Sequence, residues 1–367
     1  MKITAAVTHK AGDLSIEEVE LAPPKASEVL VKILAAGVCH TDAAGIAGYI
    51  PWITFPQVFG HEGVGIVEEV GAAVDTLKPG DRVALTFPSC GYCGYCLAGQ
   101  PYACDYLNDL FFSGRYKDGT FRLSQNGTEI GSFFAQGSFA DHVVIDARNA
   151  VKVEGVTDDQ LKYLCSMGCG VQTGAGSVLN RIKPEPATSL VVFGTGGVGM
   201  SAVMAAVIAG CTKIIAVDIV QSRLDMAKEF GATDVINAKE VDDVVGRIKE
   251  ITNGGANYSV ESSGVPDLSL TALQCLRRLG TAVVVSVTGP AEISIPIEMT
   301  IMNPSVNFAG LTEGGSNPQV FIPQLTEYYK AGKLPIDKLV KFYDFKDIGK
   351  AFEDSHTGVT IKPILTF

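Results

Sequence analysis

The sequence predicts an α/β protein in which a mainly β part is followed by a doubly wound parallel sheet. Up to about residue 150, short β-type runs alternate with turn-rich segments. From residue 190 onwards, β-type runs alternate with helix-length segments, which is typical of a parallel sheet covered by helices. A chain of 367 residues is long enough for both parts to be separate domains.

The individual elements follow from the apolar periodicity and the turn residues. In the first part we expect strands at residues 29–34, 65–70, 82–86 and 142–145. In the second part we expect strands at residues 190–193, 213–217, 234–236, 258–261, 281–287 and 306–311. The helices between them are predicted at residues 198–209, 221–230, 241–252 and 267–278. The tail adds an amphipathic helix at residues 318–330 and a final strand near residues 362–367.

Composition excludes several classes of protein. With 47% hydrophobic and 19% charged residues, the chain is neither disordered nor a coiled coil. Its net charge is −11 and it has no run of basic residues, which argues against nucleic acid or an anionic membrane as a partner. The first ten residues lack a signal-peptide pattern, so we expect a cytoplasmic protein. The uncharged stretch between Glu185 and Lys213 could span a bilayer, but five glycines and a β-type start favour a buried strand and helix.

A glycine motif follows the predicted strand at residues 190–193 and opens the next helix. It fits the dinucleotide-binding pattern GxGxxG, although alone it could be an ordinary glycine-rich turn. The phosphates would lie on the free N–H groups at the start of the helix. Its residues are Gly194, Gly196, Gly197, Val198 and Gly199.

An acidic residue completes this pattern. Asp218 ends the next predicted strand, 22 residues beyond Gly196, where a carboxylate would hold the ribose hydroxyls of NAD and repel the 2′-phosphate of NADP. An ordinary helix N-cap is the alternative for Asp218. Arg223 is a candidate contact to the adenosine ribose, or else a solvated surface arginine. Motif, strand, helix and acid together predict NAD binding.

Four cysteines lie close together at Cys90, Cys93, Cys96 and Cys104. Four thiolates on one short loop suit a structural zinc ion, which prefers a closed tetrahedron of soft ligands. An iron–sulfur cluster is the competing interpretation. The seven residues before Cys104, and Asp105 after it, depart from the bacterial ferredoxin pattern.

A second potential metal site is scattered along the chain. Cys39, His61 and Cys169 each lie in a polar or glycine-rich motif. Taken singly, each could be a structural residue. Together they form a Cys2His set, which leaves a fourth position on zinc for water or substrate.

The sequence resembles the zinc-containing medium-chain alcohol dehydrogenases over nearly its whole length, and most closely their aryl (benzyl-type) branch. The motifs that carry the resemblance are residues 39–42 (CHTD), 60–63 (GHEG), 168–174 (GCGVQTG) and the four-cysteine loop. Residues 133–139 (FFAQGSF) and 340–343 (VKFY) are similar to the aryl branch in particular.

The resemblance implies roles for the residues of these motifs. Cys39, His61 and Cys169 would bind the catalytic zinc, with Glu62 behind the metal, and Asp42 would orient His61. Thr41 would take the proton from the substrate hydroxyl. Cofactor positions carried over from the family are His40 and Lys362 at the pyrophosphate and Thr173 beside the nicotinamide.

The resemblance also implies the domain organisation. Residues 1–172 would form a GroES-like catalytic domain with a structural zinc lobe at residues 88–106. Residues 173–312 would form the Rossmann-type NAD-binding domain, and residues 313–367 would return to complete the catalytic domain. Two zinc ions per chain and a homodimer or homotetramer are expected.

One residue departs from the family pattern, and the substrate is open. Many members place a histidine three positions after the hydroxyl residue, where this chain has Ala44, so the proton is expected to pass from the ribose directly to water. Aromatic residues around Trp52, the only tryptophan, suit a flat apolar substrate or form a structural loop. A primary aromatic or allylic alcohol is the leading expectation. Aliphatic, terpenoid or polyol alcohols are the alternatives, as is a member of the fold without turnover.

Overall fold

The computed structural model describes all 367 residues, and the chain divides into two compact units. Unit 1 contains Met1–Cys169, Asn317–Lys330 and Ile336–Phe367. Unit 2 contains Gly170–Ser316 and Ala331–Pro335. The segment after residue 316 therefore belongs mainly to the same unit as the N-terminal part.

The regular elements are eighteen strands and eleven α-helices. The strands are β1 (Lys2–Thr8), β2 (Ser15–Leu21), β3 (Glu28–Gly37), β4 (Gln57–Val58), β5 (Gly63–Val70), β6 (Arg82–Leu85), β7 (Leu123–Gln125), β8 (Thr128–Ser132), β9 (His142–Asp146), β10 (Ala150–Lys152), β11 (Ser189–Phe193), β12 (Lys213–Asp218), β13 (Asp234–Asn237), β14 (Ala256–Glu261), β15 (Leu276–Val284), β16 (Asn307–Gly310), β17 (Val340–Asp344) and β18 (Lys362–Thr366). The helices are α1 (His40–Ile46), α2 (Gly94–Leu97), α3 (Leu107–Phe112), α4 (Asp158–Tyr163), α5 (Gly170–Gly176), α6 (Gly197–Ile208), α7 (Gln221–Glu229), α8 (Val244–Ile251), α9 (Leu268–Gln274), α10 (Pro318–Lys330) and α11 (Ile348–His356).

Unit 1 is built on two β-sheets. A closed barrel has the strand order β1-β2-β7-β8-β4, and a second sheet has the order β10-β6-β5-β3-β18-β17, with β9 also paired to β3. Strand β18 joins this sheet antiparallel to β3, pairing Ile364 with Gly37. The tail of the chain therefore completes the sheet whose β3 leads into residue 39.

Unit 2 is a doubly wound domain. Its six strands are all parallel and have the order β13-β12-β11-β14-β15-β16, with helices in the connections. The first strand of the unit, β11, lies in the middle, and the strand order reverses between β11 and β14. In such sheets the ligand crevice lies outside the carboxyl ends of the strands at this reversal. The predicted α/β class, with one mainly β part and one doubly wound part, is confirmed.

The prediction was wrong around residues 275–287. Helix α9 ends at Gln274 rather than at residue 278, and β15 begins at Leu276. Leu279 has a left-handed backbone, with φ of 65°, and the pairing of β14 with β15 shifts register at this point. Because of this irregularity, residues 276–278, which fit a helical pattern in the sequence, belong to strand β15 instead. That strand ends at Val284 rather than at residue 287.

The uncharged stretch after Glu185 forms strand β11 and helix α6, which has only 12 residues. None of the helices combines the length and the apolar composition that crossing a bilayer requires. The buried run of β11 is typical of a central strand covered on both faces.

Candidate active site

The four-cysteine loop brings all of its sulfur atoms together. The four Sγ atoms lie within 4.8 Å of one another, and Sγ of Cys90 is 3.8 Å from Sγ of Cys96. Backbone N–H groups donate to these sulfurs, including that of Cys93 to Cys90 at 3.2 Å and that of Cys90 to Cys104 at 3.3 Å. Such a cluster of free thiols has the donor set and the compactness that a tetrahedral zinc ion requires.

Two of these thiols, Cys93 and Cys104, differ in acidity because their surroundings differ. Hydrogen bonding from the Cys96 backbone N–H lowers the pKa of Cys93 to about 6, whereas burial raises the pKa of Cys104 to about 12. Without a cation, the group therefore cannot carry four negative charges at neutral pH. A divalent metal would compensate that charge, so the residues fit the structural zinc that the sequence predicts.

The scattered set also comes together, in unit 1. Cys39 is the N-cap of α1, His61 lies between β4 and β5, and Cys169 follows a 3₁₀ turn at Cys165–Gly168. Their ligand atoms and a carboxylate oxygen of Glu62 all lie within 4.8 Å of one another. Two sulfurs, one imidazole and a carboxylate thus converge from three separate segments of the sequence.

The imidazole of His61 shows which of its nitrogens is left for a metal. Its Nδ1 lies 2.9 Å from Oδ1 of Asp42, while its Nε2 is buried and has no hydrogen-bond partner. Burying a polar nitrogen without a partner is costly. Coordination of a zinc ion through Nε2 would remove that cost. The buried Nε2 without a partner is therefore the observation that supports a zinc ion at this site.

Asp42 connects the pieces of the site. One of its carboxylate oxygens accepts the backbone N–H of Cys39 at 3.1 Å. The other oxygen accepts the backbone N–H of Gly60 at 3.0 Å as well as facing His61. The side chain is fully buried, so these contacts are shielded from water.

Thr41 lies at the edge of the cluster. Its hydroxyl is 3.7 Å from the Sγ atom of Cys39 and is only half-buried. The neighbouring His40 is exposed at the start of α1, and Ala44 is half-buried one turn further along the helix. The hydroxyl is therefore within reach of a group bound at the metal site and of solvent.

Glu62 and Lys362 form a buried ion pair behind the cluster. The Lys362 ammonium group donates to Oε2 of Glu62 at 2.7 Å and to the carbonyl of Val38 at 3.2 Å. Burial raises the pKa of Glu62, and the ammonium group opposes this shift. The amine of Lys362 is thus engaged inside unit 1.

An aromatic wall covers His61. Phe134 stacks on the imidazole with ring centroids 4.6 Å apart, and Phe133 meets it edge-on at 5.6 Å. Phe134 and Ala135 both have left-handed backbones, with φ of 56° and 46°. Strained residues of this kind are found where the surrounding structure fixes a functional arrangement.

Gln136 completes the wall and was missed by the sequence reasoning. Its side-chain oxygen accepts the Gly63 N–H at 2.9 Å, and its side-chain nitrogen donates to the carbonyl of His61 at 3.2 Å. The only signal for it was its place in the motif at residues 133–139, whose spacing from His61 in sequence is too large to suggest contact.

Trp52, on the loop after α1, is 58% exposed and stacks on Phe112 at 5.9 Å.

The glycine motif lies in unit 2 between β11 and α6. Gly194 has φ of 82°, and a Cβ atom on Gly199 would lie 1.8 Å from the Gly194 carbonyl oxygen, so only glycine fits there. A Cβ atom on Gly196 would meet no atom within 4 Å, which leaves open space above the turn. Gly197 and Val198 form the first turn of α6. This geometry fits a dinucleotide pyrophosphate.

Asp218 is bonded to this turn as well as lying at the end of β12. Its Oδ2 accepts the backbone N–H and the hydroxyl of Thr195, both at 2.7 Å, and its Oδ1 accepts the N–H groups of Ile219 and Val220. In α7, Nε of Arg223 is buried without a partner. Thr173 is buried in α5 of the same unit.

Unit 1 contains both a Cys2His cluster and a four-cysteine loop, and the same chain carries a unit of the dinucleotide-binding type. Together these features are those of a zinc-dependent dehydrogenase. Residues 25–155 match the family "Alcohol dehydrogenase GroES-like domain", and residues 197–327 match the family "Zinc-binding dehydrogenase". The chain is also 39% identical to the geraniol dehydrogenase of Castellaniella defragrans, over 99% of this chain and 97% of that protein.

Two solved structures are similar along the whole chain. The alcohol dehydrogenase zinc-binding domain protein from Burkholderia ambifaria has 44% sequence identity and a TM-score of 0.96. The benzyl alcohol dehydrogenase from Acinetobacter calcoaceticus has 40% identity and a TM-score of 0.95, and both matches cover 100% of this chain and 99% of the other. The chain belongs to the family of zinc-containing medium-chain alcohol dehydrogenases. It is an oxidoreductase of alcohols and aldehydes, and its family implies zinc and NAD as cofactors.

Proposed function

We propose that this enzyme interconverts primary alcohols and aldehydes whose reacting carbon is attached to an aromatic ring or a carbon–carbon double bond, with NAD as cofactor. The observation that carries the proposal is the cluster of Cys39, His61 and Cys169, with an aromatic wall over the buried His61. The names of two relatives add support, because benzyl alcohol is an aromatic and geraniol an allylic primary alcohol.

Two zinc ions per chain are part of the proposal. Cys39, His61 and Cys169 would hold the catalytic ion, and Cys90, Cys93, Cys96 and Cys104 the structural one. When bound, the catalytic zinc would act as a Lewis acid toward the substrate oxygen, and the nicotinamide would exchange hydride with the substrate carbon. The four-cysteine site would contribute to folding rather than to the reaction.

The protein's own residues would orient the reactants and move the proton. Asp42 holds His61 in one tautomer and one orientation, as the contact at 2.9 Å requires. Thr41 would accept the substrate's hydroxyl proton at its Oγ1 and pass it on, because a threonine hydroxyl can relay a proton but cannot store one. With Ala44 in place of a base, water would be the final acceptor. Phe133 and Phe134 would keep water away from the buried side of the site.

Cofactor binding is assigned to unit 2. The glycine turn would hold the pyrophosphate and Asp218 the adenosine ribose, which favours NAD over NADP. The unpartnered Nε of Arg223 supports a contact of that side chain with the same ribose. His40, Thr173 and Lys362 remain candidate cofactor contacts by resemblance alone. In this assignment unit 1 is the catalytic domain and unit 2 the NAD-binding domain.

The cellular location and the oligomeric state of the enzyme are also part of the proposal. None of the nine cysteines forms a disulfide, which supports a reducing, cytoplasmic location. Strand β16 is an edge strand of unit 2, and apolar side chains are exposed around it: Leu279, Ile297, Met299, Met302 and Phe308. An apolar edge of this kind supports pairing with a second copy of the chain. Light scattering on the wild type and on Phe308→Lys would test it, with a shift to monomer expected for the variant.

Matched alcohol pairs test the proposed substrate class. Benzyl alcohol is compared with cyclohexylmethanol, and geraniol with citronellol, because each pair differs only in unsaturation next to or near the reacting carbon. We expect kcat/KM to be about 10²-fold higher for the unsaturated member, which corresponds to about 2.7 kcal/mol of transition-state stabilisation. Equal values within each pair, or a preference for a polyol such as sorbitol, would contradict the proposal.

A further inference from the structure

A buried acidic side chain in unit 2 has no cation beside it. Glu261 is fully buried at the end of β14, and no lysine, arginine or histidine pairs with it. Its carboxylate accepts the backbone N–H of Ser263 at 2.7 Å and the hydroxyls of Ser263 and Ser286. All three contacts come from N–H or O–H groups, and an ionised carboxylate satisfies each of them.

The position of Glu261 relates it to the dinucleotide site. It is the last residue of β14, which lies next to β11 at the point where the strand order reverses. Ser262, the next residue, donates its N–H to the Phe193 carbonyl at 2.9 Å and its hydroxyl to the Gly194 carbonyl at 3.0 Å. The segment after Glu261 therefore packs directly on the glycine turn, inside the crevice where doubly wound sheets bind their ligand.

We assign the two ends of the dinucleotide to different halves of the sheet. Asp218 lies in the half formed by β11, β12 and β13, to which the adenosine part is assigned. Glu261, at the end of β14, and Ser286, just after β15, lie in the other half. The nicotinamide part is therefore assigned to this half. Val265 and Val287 lie further along the same two segments, and they expose 49% and 52% of their surface. They offer apolar surface for a flat ring at this edge.

The charge of Glu261 can distinguish the two redox forms of the cofactor. Burying a carboxylate without a counter-ion is costly, and a cation bound nearby recovers part of that cost. The nicotinamide ring is a cation in NAD⁺ and neutral in NADH, whereas the remainder of the molecule is the same. A fixed negative charge on this side of the crevice therefore stabilises the oxidised form and leaves the reduced form unaffected.

We infer that Glu261 is a charge-selecting residue that strengthens the binding of NAD⁺ relative to NADH. The inference rests on the proposed function, since it assumes that unit 2 binds NAD. We expect this charge to change the ratio of NAD⁺ to NADH affinity by about tenfold. Glu261 also lowers the reduction potential of the bound couple in this account, because it favours the oxidised side.

Binding measurements on the full-length protein test the inference without turnover. The dissociation constants of NAD⁺, NADH and ADP-ribose are measured by calorimetry for the wild type, for Glu261→Gln and for Ser286→Ala. ADP-ribose lacks the nicotinamide and reports whether the glycine turn and the ribose site are intact. We expect Glu261→Gln to weaken NAD⁺ about tenfold while NADH and ADP-ribose change less than about twofold. Ser286→Ala, which keeps the carboxylate, should retain the wild-type ratio of NAD⁺ to NADH affinity.

The outcomes separate this inference from the proposed function. An unchanged NAD⁺ to NADH ratio in Glu261→Gln, or an equal loss of all three ligands, overturns the inference while the proposed function stands. A wild type that binds neither NAD⁺ nor NADH overturns both. If Glu261→Gln does not fold, Glu261→Ser, a small neutral side chain that leaves room for water, provides the same comparison.

Discussion

The Oδ1 atom of Asp42 lies 2.9 Å from Nδ1 of His61, and the same oxygen accepts the Gly60 N–H at 3.0 Å. One buried carboxylate oxygen thus sets both the orientation of the imidazole and the backbone that carries it. Metal-binding histidines generally depend on such a partner, which fixes the tautomer and raises the basicity of the ligating nitrogen.

Asp42→Asn should weaken zinc binding at the catalytic site by about 10- to 100-fold, because a neutral amide cannot replace the charge that stabilises the ligand. Competition with a chromophoric chelator, followed by metal analysis, measures the affinity. Asp354→Asn is a matched control, since Asp354 is also a buried carboxylate in unit 1 but bonds to Tyr343 and two lysines. Equal zinc affinity in Asp42→Asn and wild type would remove Asp42 from the proposed role.

Cofactor preference should depend on Asp218 and, to a smaller extent, on Thr195. Asp218→Ser removes the repulsion of a 2′-phosphate and should reduce the preference for NAD over NADP by about 10²-fold. Thr195→Val keeps the carboxylate but removes one of its anchors, the hydroxyl at 2.7 Å, so about a tenfold reduction or less is expected. The dissociation constants of NAD and NADP, measured for the wild type and both variants, test this prediction. A wild type with the same affinity for NAD and NADP would contradict the assignment.

The loop that carries Trp52 should contribute to the recognition of flat substrates. Trp52→Ala should reduce kcat/KM for benzyl alcohol by about tenfold and that for ethanol by less than about twofold, because only the larger substrate reaches the exposed ring. Tyr49→Ala is the control, since Tyr49 is more exposed, at 77%, and makes no ring contact. Similar losses for both alcohols would give Trp52 a structural role.

The proton path can be altered at Ala44. A histidine there would supply a base that titrates near neutral pH, so Ala44→His should accelerate the hydride-transfer step at pH 6 to 7, by at most about 10²-fold. The gain should decrease as pH rises, because hydroxide then accepts the proton in the wild type. Release of NADH can mask the effect in steady state, so single-turnover NADH formation is measured. If both proteins share one pH profile, water is not the acceptor, and another group such as His40 must be.

Local patterns were enough to predict much of the molecule. Cys39, His61 and Cys169 stand in short motifs that identify them without any knowledge of contacts, and helix α10 has the predicted bounds. The glycine turn and Asp218 were readable because strand, turn and helix follow one another directly in sequence.

The remainder depends on contacts between distant segments. Nothing near Phe134 in sequence indicates that a left-handed backbone places its ring on His61, 73 residues earlier. Glu261 was noted only as the end of a strand, because its isolation from cations is a property of the folded unit. The helix predicted to residue 278 failed for the same reason: the register shift opposite β14 overrides a locally helical pattern.

Metal content measured together with activity tests the central claim most directly. Wild type, Cys169→Ser and Cys96→Ser are purified, analysed for metals and assayed for NADH formation from benzyl alcohol and NAD. We expect two zinc ions per chain in the wild type and one in Cys169→Ser, which should keep its thermal stability but form no NADH. Cys96→Ser should lose the other ion and melt at a lower temperature, since structural zinc contributes to folding. A wild type that holds iron and sulfide, or a Cys169→Ser variant that keeps both zinc ions and full activity, would contradict the account.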